Sequence, residues 1–122
     1  MKIHTIQMSP KIIFLIRSNP CESPKPAEAI RIAAGLGVNN NTIKIILSGD
    51  APRLLSADEE EIIDVDIIEK FLPIIEEWNI PVYVDKMSSG HVHLKDSNYK
   101  FRELDTDEIS ETIAGGHYTF VF

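Results

Sequence analysis

One thiol and one pair of histidines are the side chains best suited to covalent or metal chemistry in this chain. Cys21 is its single cysteine, so no internal disulfide can form. It stands in the segment Ser18–Pro26 (SNPCESPKP), just ahead of a stretch with helical periodicity. Helix N-terminal amides and the Lys25 ammonium both favour a thiolate, and Glu22 opposes it. A thiolate there could attack a sulfur, a carbonyl or a phosphate. Two sharper readings fail on spacing. A phosphatase loop needs Cys, five residues, then Arg, and the residue at that place is Ala27. A dithiol pair needs a second cysteine at position 24, which is Pro24. A persulfide carrier needs one thiol only, so that reading stands beside the plainer one of an inert loop cysteine.

His91 and His93 lie in the run Gly90-His91-Val92-His93. On an extended chain, residues i and i+2 point the same way, so the two imidazoles could share a metal. A third ligand would have to come from Asp85, Asp96 or elsewhere. No H-x-x-x-H or Cys/His spacing supports the site, and polar loop histidines are the ordinary alternative. No metal is expected. Nucleotide binding has as little support. Neither a Walker loop nor G-x-G-x-x-G is present, and Ser18–Pro26 has Ser18 and Ser23 but no glycine. Its three prolines also remove amide donors. No cofactor is expected.

These residues need a scaffold, and composition bounds it. The chain has 122 residues, consistent with a single domain over 1–122. Hydrophobic residues are 43% and charged residues 25%, the balance of a soluble globular protein. The formal net charge of −7 repels phosphate backbones, which argues against nucleic-acid partners. No apolar run approaches a membrane span, and Ile12–Ile16 is too short for a secretory signal. A cytoplasmic protein without membrane contact is expected.

Hydropathy patterning then orders the elements. Lys11–Arg17 (KIIFLIR) and Ile43–Leu47 (IKIIL) are continuous apolar runs rich in β-branched residues, read as strands covered on both faces. Between them Ala27, Ile30, Ala33, Ala34 and Val38 fall on one helical face. Ser48–Pro52 is a turn. Ser56–Glu61 is acidic and reads as a solvated loop or the first turn of a helix. Val65, Ile68, Phe71, Leu72, Ile75 and Trp78 form a helical stripe, which Pro73 should kink or divide. Ile80–Val84 is a third strand, and Asp85–Lys100 has no clear period. Phe101–Leu104 is a short strand. Asp105 caps a helix, with Glu108 placed to reach back, and that helix ends at Gly115–Gly116. His117–Phe122 is the closing strand.

Alternation of buried strands and helices predicts an α/β fold: a three-layer α/β/α sandwich around a mostly parallel five-stranded sheet, with Lys11–Arg17 central. Ligands in such folds sit beyond the carboxyl ends of the strands. Those ends bring forward Ser18–Lys25, Ser48–Arg53 and Asp85–His93. Cys21 is the candidate catalytic residue, and Asp50, Asp85 and His91 are the candidate ligand contacts.

Three stretches together resemble the DsrE/DsrF/DsrH family of small sulfur-relay proteins: KIIFLIRSNPCESPKPAEAIRIAAGL, IKIILSGDAPRLL, and FLPIIEEWNIPVYVD with HYTFVF. The resemblance implies a five-stranded sandwich that assembles into oligomers, with a sulfur donor or acceptor protein as partner. It also implies that active members carry a persulfide-bearing cysteine just after strand three. Here that place reads Asp85-Lys86-Met87, and Cys21 does not correspond to it. Expected functions are therefore an atypical carrier using Cys21, a non-catalytic subunit, or a small-ligand-binding or regulatory module without sulfur chemistry. A homo-oligomer is expected on two grounds: the resemblance, and the many apolar side chains for a domain of this size.

Overall fold

A computed structural model of the chain describes residues 10–39, 41–56, 61–94 and 97–122. Within these residues five strands form one sheet in the order β4-β3-β2-β1-β5. They are β1 (Lys11–Ile16), β2 (Thr42–Leu47), β3 (Val82–Asp85), β4 (Arg102–Leu104) and β5 (Tyr118–Val121). Every pairing is parallel. Among the described residues there are three α-helices: α1 (Lys25–Gly37) between β1 and β2, α2 (Val65–Glu77) between β2 and β3, and α3 (Thr106–Ala114) between β4 and β5. Two short 3-10 helices, Ala51–Leu55 and Ser89–Leu94, follow the carboxyl ends of β2 and β3. The α/β reading holds, with an entirely parallel sheet. Strand β1 is interior as its unbroken apolar run requires, but β2 is the middle strand.

Register and alternation separate the two faces of the sheet. On one face Ile12, Phe14 and Ile16 align with Ile43, Ile45 and Leu47, and these with Val82 and Val84. All eight are buried and pack with α1 and α2 in one core. Helix α1 supplies Ala29, Ala33 and Ala34 beside Ile30, small side chains that let the helices approach closely. The expected α1 face is buried except Val38, which is the C-cap and exposed. Phe14 is fully buried, its ring stacked on Phe122 at 5.6 Å between centroids.

The chain steps from β1 to β2, β3 and β4 in one direction, then jumps back past β1 to β5. Right-handed crossovers therefore put α1 and α2 on one face and α3 on the other. This second face carries Ile13, Ile46 and Leu104, all buried, but also the half-exposed Lys44 and Tyr83. Helix α3 has no buried residue. Its start is secured locally instead: the Asp105 carboxylate accepts the Glu108 N–H at 2.8 Å, and the Glu108 carboxylate accepts the Asp105 N–H at 3.0 Å.

Several boundaries differ from the sequence expectation. Helix α2 runs unbroken through Pro73, which is exposed, so the missing N–H weakens the helix on its solvent side. Trp78 leaves the stripe; it is the C-cap of α2 and 53% exposed. Helix α2 starts at Val65, so the acidic stretch does not form its first turn. Of that stretch, residues 57–60 lie outside the described residues, as does Asp96. The backbone at 89–94 is a 3-10 helix, not the extended chain on which His91 and His93 would share a side.

Candidate functional site

The carboxyl ends of four strands meet in a cleft of about 530 Å³. Strand β1 contributes Arg17 and Ser18, β2 contributes Ser48 and Gly49, β3 contributes Asp85, and β5 contributes Val121 and Phe122. The wall is held by backbone bonds. Arg17 and Ser18 both donate their N–H groups to the Phe122 carbonyl, at 2.8 and 3.2 Å. Ser48 donates to the Ile16 carbonyl at 2.9 Å.

The turn after β2 depends on Gly49. Its φ is +59°, the left-handed region, and a Cβ there would stand 3.0 Å from the Arg17 carbonyl oxygen. Gly90 meets this turn from the other side. Its N–H donates to the Gly49 carbonyl at 2.8 Å, and a Cβ on it would come within 3.0 Å of that oxygen. The Asp50 carboxylate accepts the Ser89 hydroxyl at 3.0 Å, which ties the two 3-10 segments together.

Asp85 is the last residue of β3, half-buried, and one of its carboxylate oxygens accepts the Met87 N–H at 2.9 Å. The expected polar contacts thus separate. Asp85 lines the cleft. Asp50 sits beside it with its carboxylate engaged by Ser89. His91 belongs to the 3-10 helix Ser89–Leu94, and its side chain lies outside what is described.

Cys21 lies at the same end of the sheet, in the turn between β1 and α1, but is not among the residues lining the cleft. It is a free, half-buried cysteine packed against the hydrophobic core. Its N–H donates to the Asn19 side-chain carbonyl at 2.9 Å, and the neighbouring Pro20 carbonyl accepts the Ile63 N–H at 2.9 Å. The start of α1 offers few donors. Its N-cap is Pro24, with no side-chain cap; the Lys25 N–H goes to the Ser23 hydroxyl at 3.1 Å, and Pro26 has none.

Arg17 escaped the sequence reading because it closes an apolar strand. A lone charge at the carboxyl end of such a run was the available signal. The end of β5 was missed for another reason: its adjacency to β1 depends on strand order. Among the described residues, no group of three His, Cys, Asp or Glu side chains could hold a metal.

An all-parallel five-stranded sheet between helical layers, with a polar cleft at the strand ends, defines a class of small α/β sandwich. The family model for the DsrE/DsrF-like family matches residues 10–122, and the chain belongs to that family. Among solved structures it is similar to the YchN protein of E. coli, with a TM-score of 0.77 and 17% identity. The match covers 93% of this chain and 99% of that one, and it shows a shared fold. No curated protein sequence matches the chain. No helix among the described residues is long and apolar enough to cross a membrane.

Proposed function

We propose that this chain is a DsrE-like protein of the sulfur-relay type that serves as a non-catalytic subunit, presenting the strand-end cleft to a partner of the relay. One observation carries the reading. The place just after strand three, where the family resemblance puts the persulfide-bearing cysteine, holds Asp85-Lys86-Met87, and of these three Asp85 lines the cleft. A carboxylate can accept hydrogen bonds and hold a charge, but it cannot carry sulfane sulfur. Arg17, Ser18 and Ser48 add donors to the same wall, a set suited to binding.

The atypical carrier remains a second reading because Cys21 is free and partly accessible near the cleft. In that case its thiolate would attack the terminal sulfur of a donor persulfide, R–S–SH. A Cys21 persulfide would form and the donor thiol R–SH would leave.

Mass spectrometry after incubation with glutathione persulfide separates the two. The subunit reading expects no one-sulfur adduct on the wild type beyond that on Cys21→Ser. It also expects Asp85→Cys to gain such an adduct, since that change restores a thiol at the family position. An adduct lodged on Cys21 and passed to a second thiol would overturn it in favour of the carrier.

A further inference from the structure

A second cavity, of about 320 Å³, opens at the opposite end of the sheet, where β3 and β4 begin. We propose that it binds a small monocarboxylate with an apolar body, a site distinct from the strand-end cleft and independent of the sulfur-relay reading.

The cavity's shape comes from the C-terminus of α2 and the chain entering β4. Ile80, Pro81 and Phe101 give it apolar walls, and Glu76, Asn79, Tyr83, Lys100 and Arg102 are its polar residues. A volume near 320 Å³ falls at the small end of ligand sites, room for one ring and a short acid chain.

The charge of this corner is unlike that of the molecule. The chain has 19 acidic and 12 basic side chains, yet two cations line this cavity. A third, Lys44, lies on the same sheet face as Tyr83 and Arg102 by register. The one lining carboxylate, Glu76, accepts the Lys100 backbone N–H at 3.2 Å and so braces this segment against α2; its charge opposes an anion, which leaves the two lining cations one positive charge in excess. The carbonyls at the end of α2 are committed: Ile74 accepts from Trp78, Ile75 from Ile80, and Glu76 from Asn79, each at 3.0 Å. The helix terminus therefore turns few bare acceptors toward an anion.

The cations are less engaged. Arg102 stands 3.8 Å from Glu108, too far for a hydrogen bond, and its side chain is 72% exposed. Among the described residues no ion pair holds the Lys100 ammonium, and no group hydrogen-bonds the Tyr83 hydroxyl. A planar carboxylate suits this set. Arg102 can meet it with a two-pronged pair of N–H bonds, Lys100 with a point charge and Tyr83 with its hydroxyl, while the ligand's body rests on Pro81, which alternates to the same side as Tyr83; Phe101 packs inward against the core.

Calorimetry with amide-shift NMR on the full chain tests this, with phenylacetate as the probe. Two controls separate charge from shape: 2-phenylethylammonium keeps the ring and inverts the charge, and inorganic phosphate keeps negative charge without a body. The expected result is phenylacetate binding with shifts centred on Tyr83 and Phe101, weakened about tenfold by Lys100→Gln and by Arg102→Gln. Neither control should match it. Both substitutions are at exposed positions, so thermal unfolding should be unchanged; if one variant fails to fold, the other decides. The proposal is overturned if phenylacetate does not bind at millimolar concentration or if its shifts fall at the strand-end cleft. It is also overturned if either control binds as tightly, or if both folded variants bind as the wild type does.

Discussion

At the scale of single residues, the cleft is governed by what the backbone tolerates as much as by its polar side chains. Gly49 turns the chain in the left-handed region against the Arg17 carbonyl, so Gly49→Ala adds a Cβ where there is neither conformational nor steric room. The expected cost is about 1–2 kcal/mol. Gly35, inside α1 with nothing within 4 Å of an added Cβ, should respond with the opposite sign. There Ala improves helix propensity, and Gly35→Ala should stabilise by about 1 kcal/mol. Urea unfolding of the two variants checks the pair; equal shifts of one sign would contradict the structural assignment of Gly49. The candidate residues were legible by type and only partly by place. Asp85 follows directly from a strand end. Asp50 could be read as near the cleft, but not its bond to Ser89, because the partner lies 39 positions away.

At the scale of elements, legibility tracked how local the cause is. The capping box at Asp105 and Glu108 is written within four consecutive residues and forms as read. Because α3 buries no residue, that cap is a large share of what holds it. Asp105→Ala should cost about 1 kcal/mol and loosen α3 before the sheet, which hydrogen exchange along 106–114 would register. Pro73 shows the reverse. Its local penalty predicts a broken helix, yet Ile68, Leu72 and Ile75 anchor α2 on both sides of it against the core, and packing prevails over propensity. Pro73→Ala should restore a donor to the exposed side of α2 and raise the melting temperature. The 3-10 helix Ser89–Leu94 had no periodic signal at all. It owes its position to the Gly90 bond with Gly49, a tertiary cause.

At the scale of the molecule, the two edges of the sheet are unlike. Strand β4 spans three residues and exposes Arg102 and Glu103, which discourages pairing with another strand. Strand β5 is exposed along its length, with Tyr118 at 59%, Phe120 at 47% and Val121 at 62%. The expectation of a homo-oligomer thus acquires a location: β5 should be covered by a second copy. Light scattering at micromolar concentration should give a multiple of 13.7 kDa, and Tyr118→Lys should shift the distribution toward the monomer. A monomer mass for the wild type would defeat the prediction. The position of β5 also sets an order of events. Its alignment with β1 joins parts of the chain 106 residues apart, as in the 3.0 Å bond from the Lys11 N–H to the His117 ring. The β1–β2 pairing spans only Lys11 to Thr42. Closing the longer loop costs about 1 kcal/mol more in chain entropy, and the stretch with α1 and α2 can collapse first. During folding, then, the outer flank of β1 passes through a period as an open, isoleucine-rich template for any strand that arrives. The competitor of β5 is the same strand from a neighbouring chain, so dilution during refolding should favour the monomer's own closure over exchange between molecules.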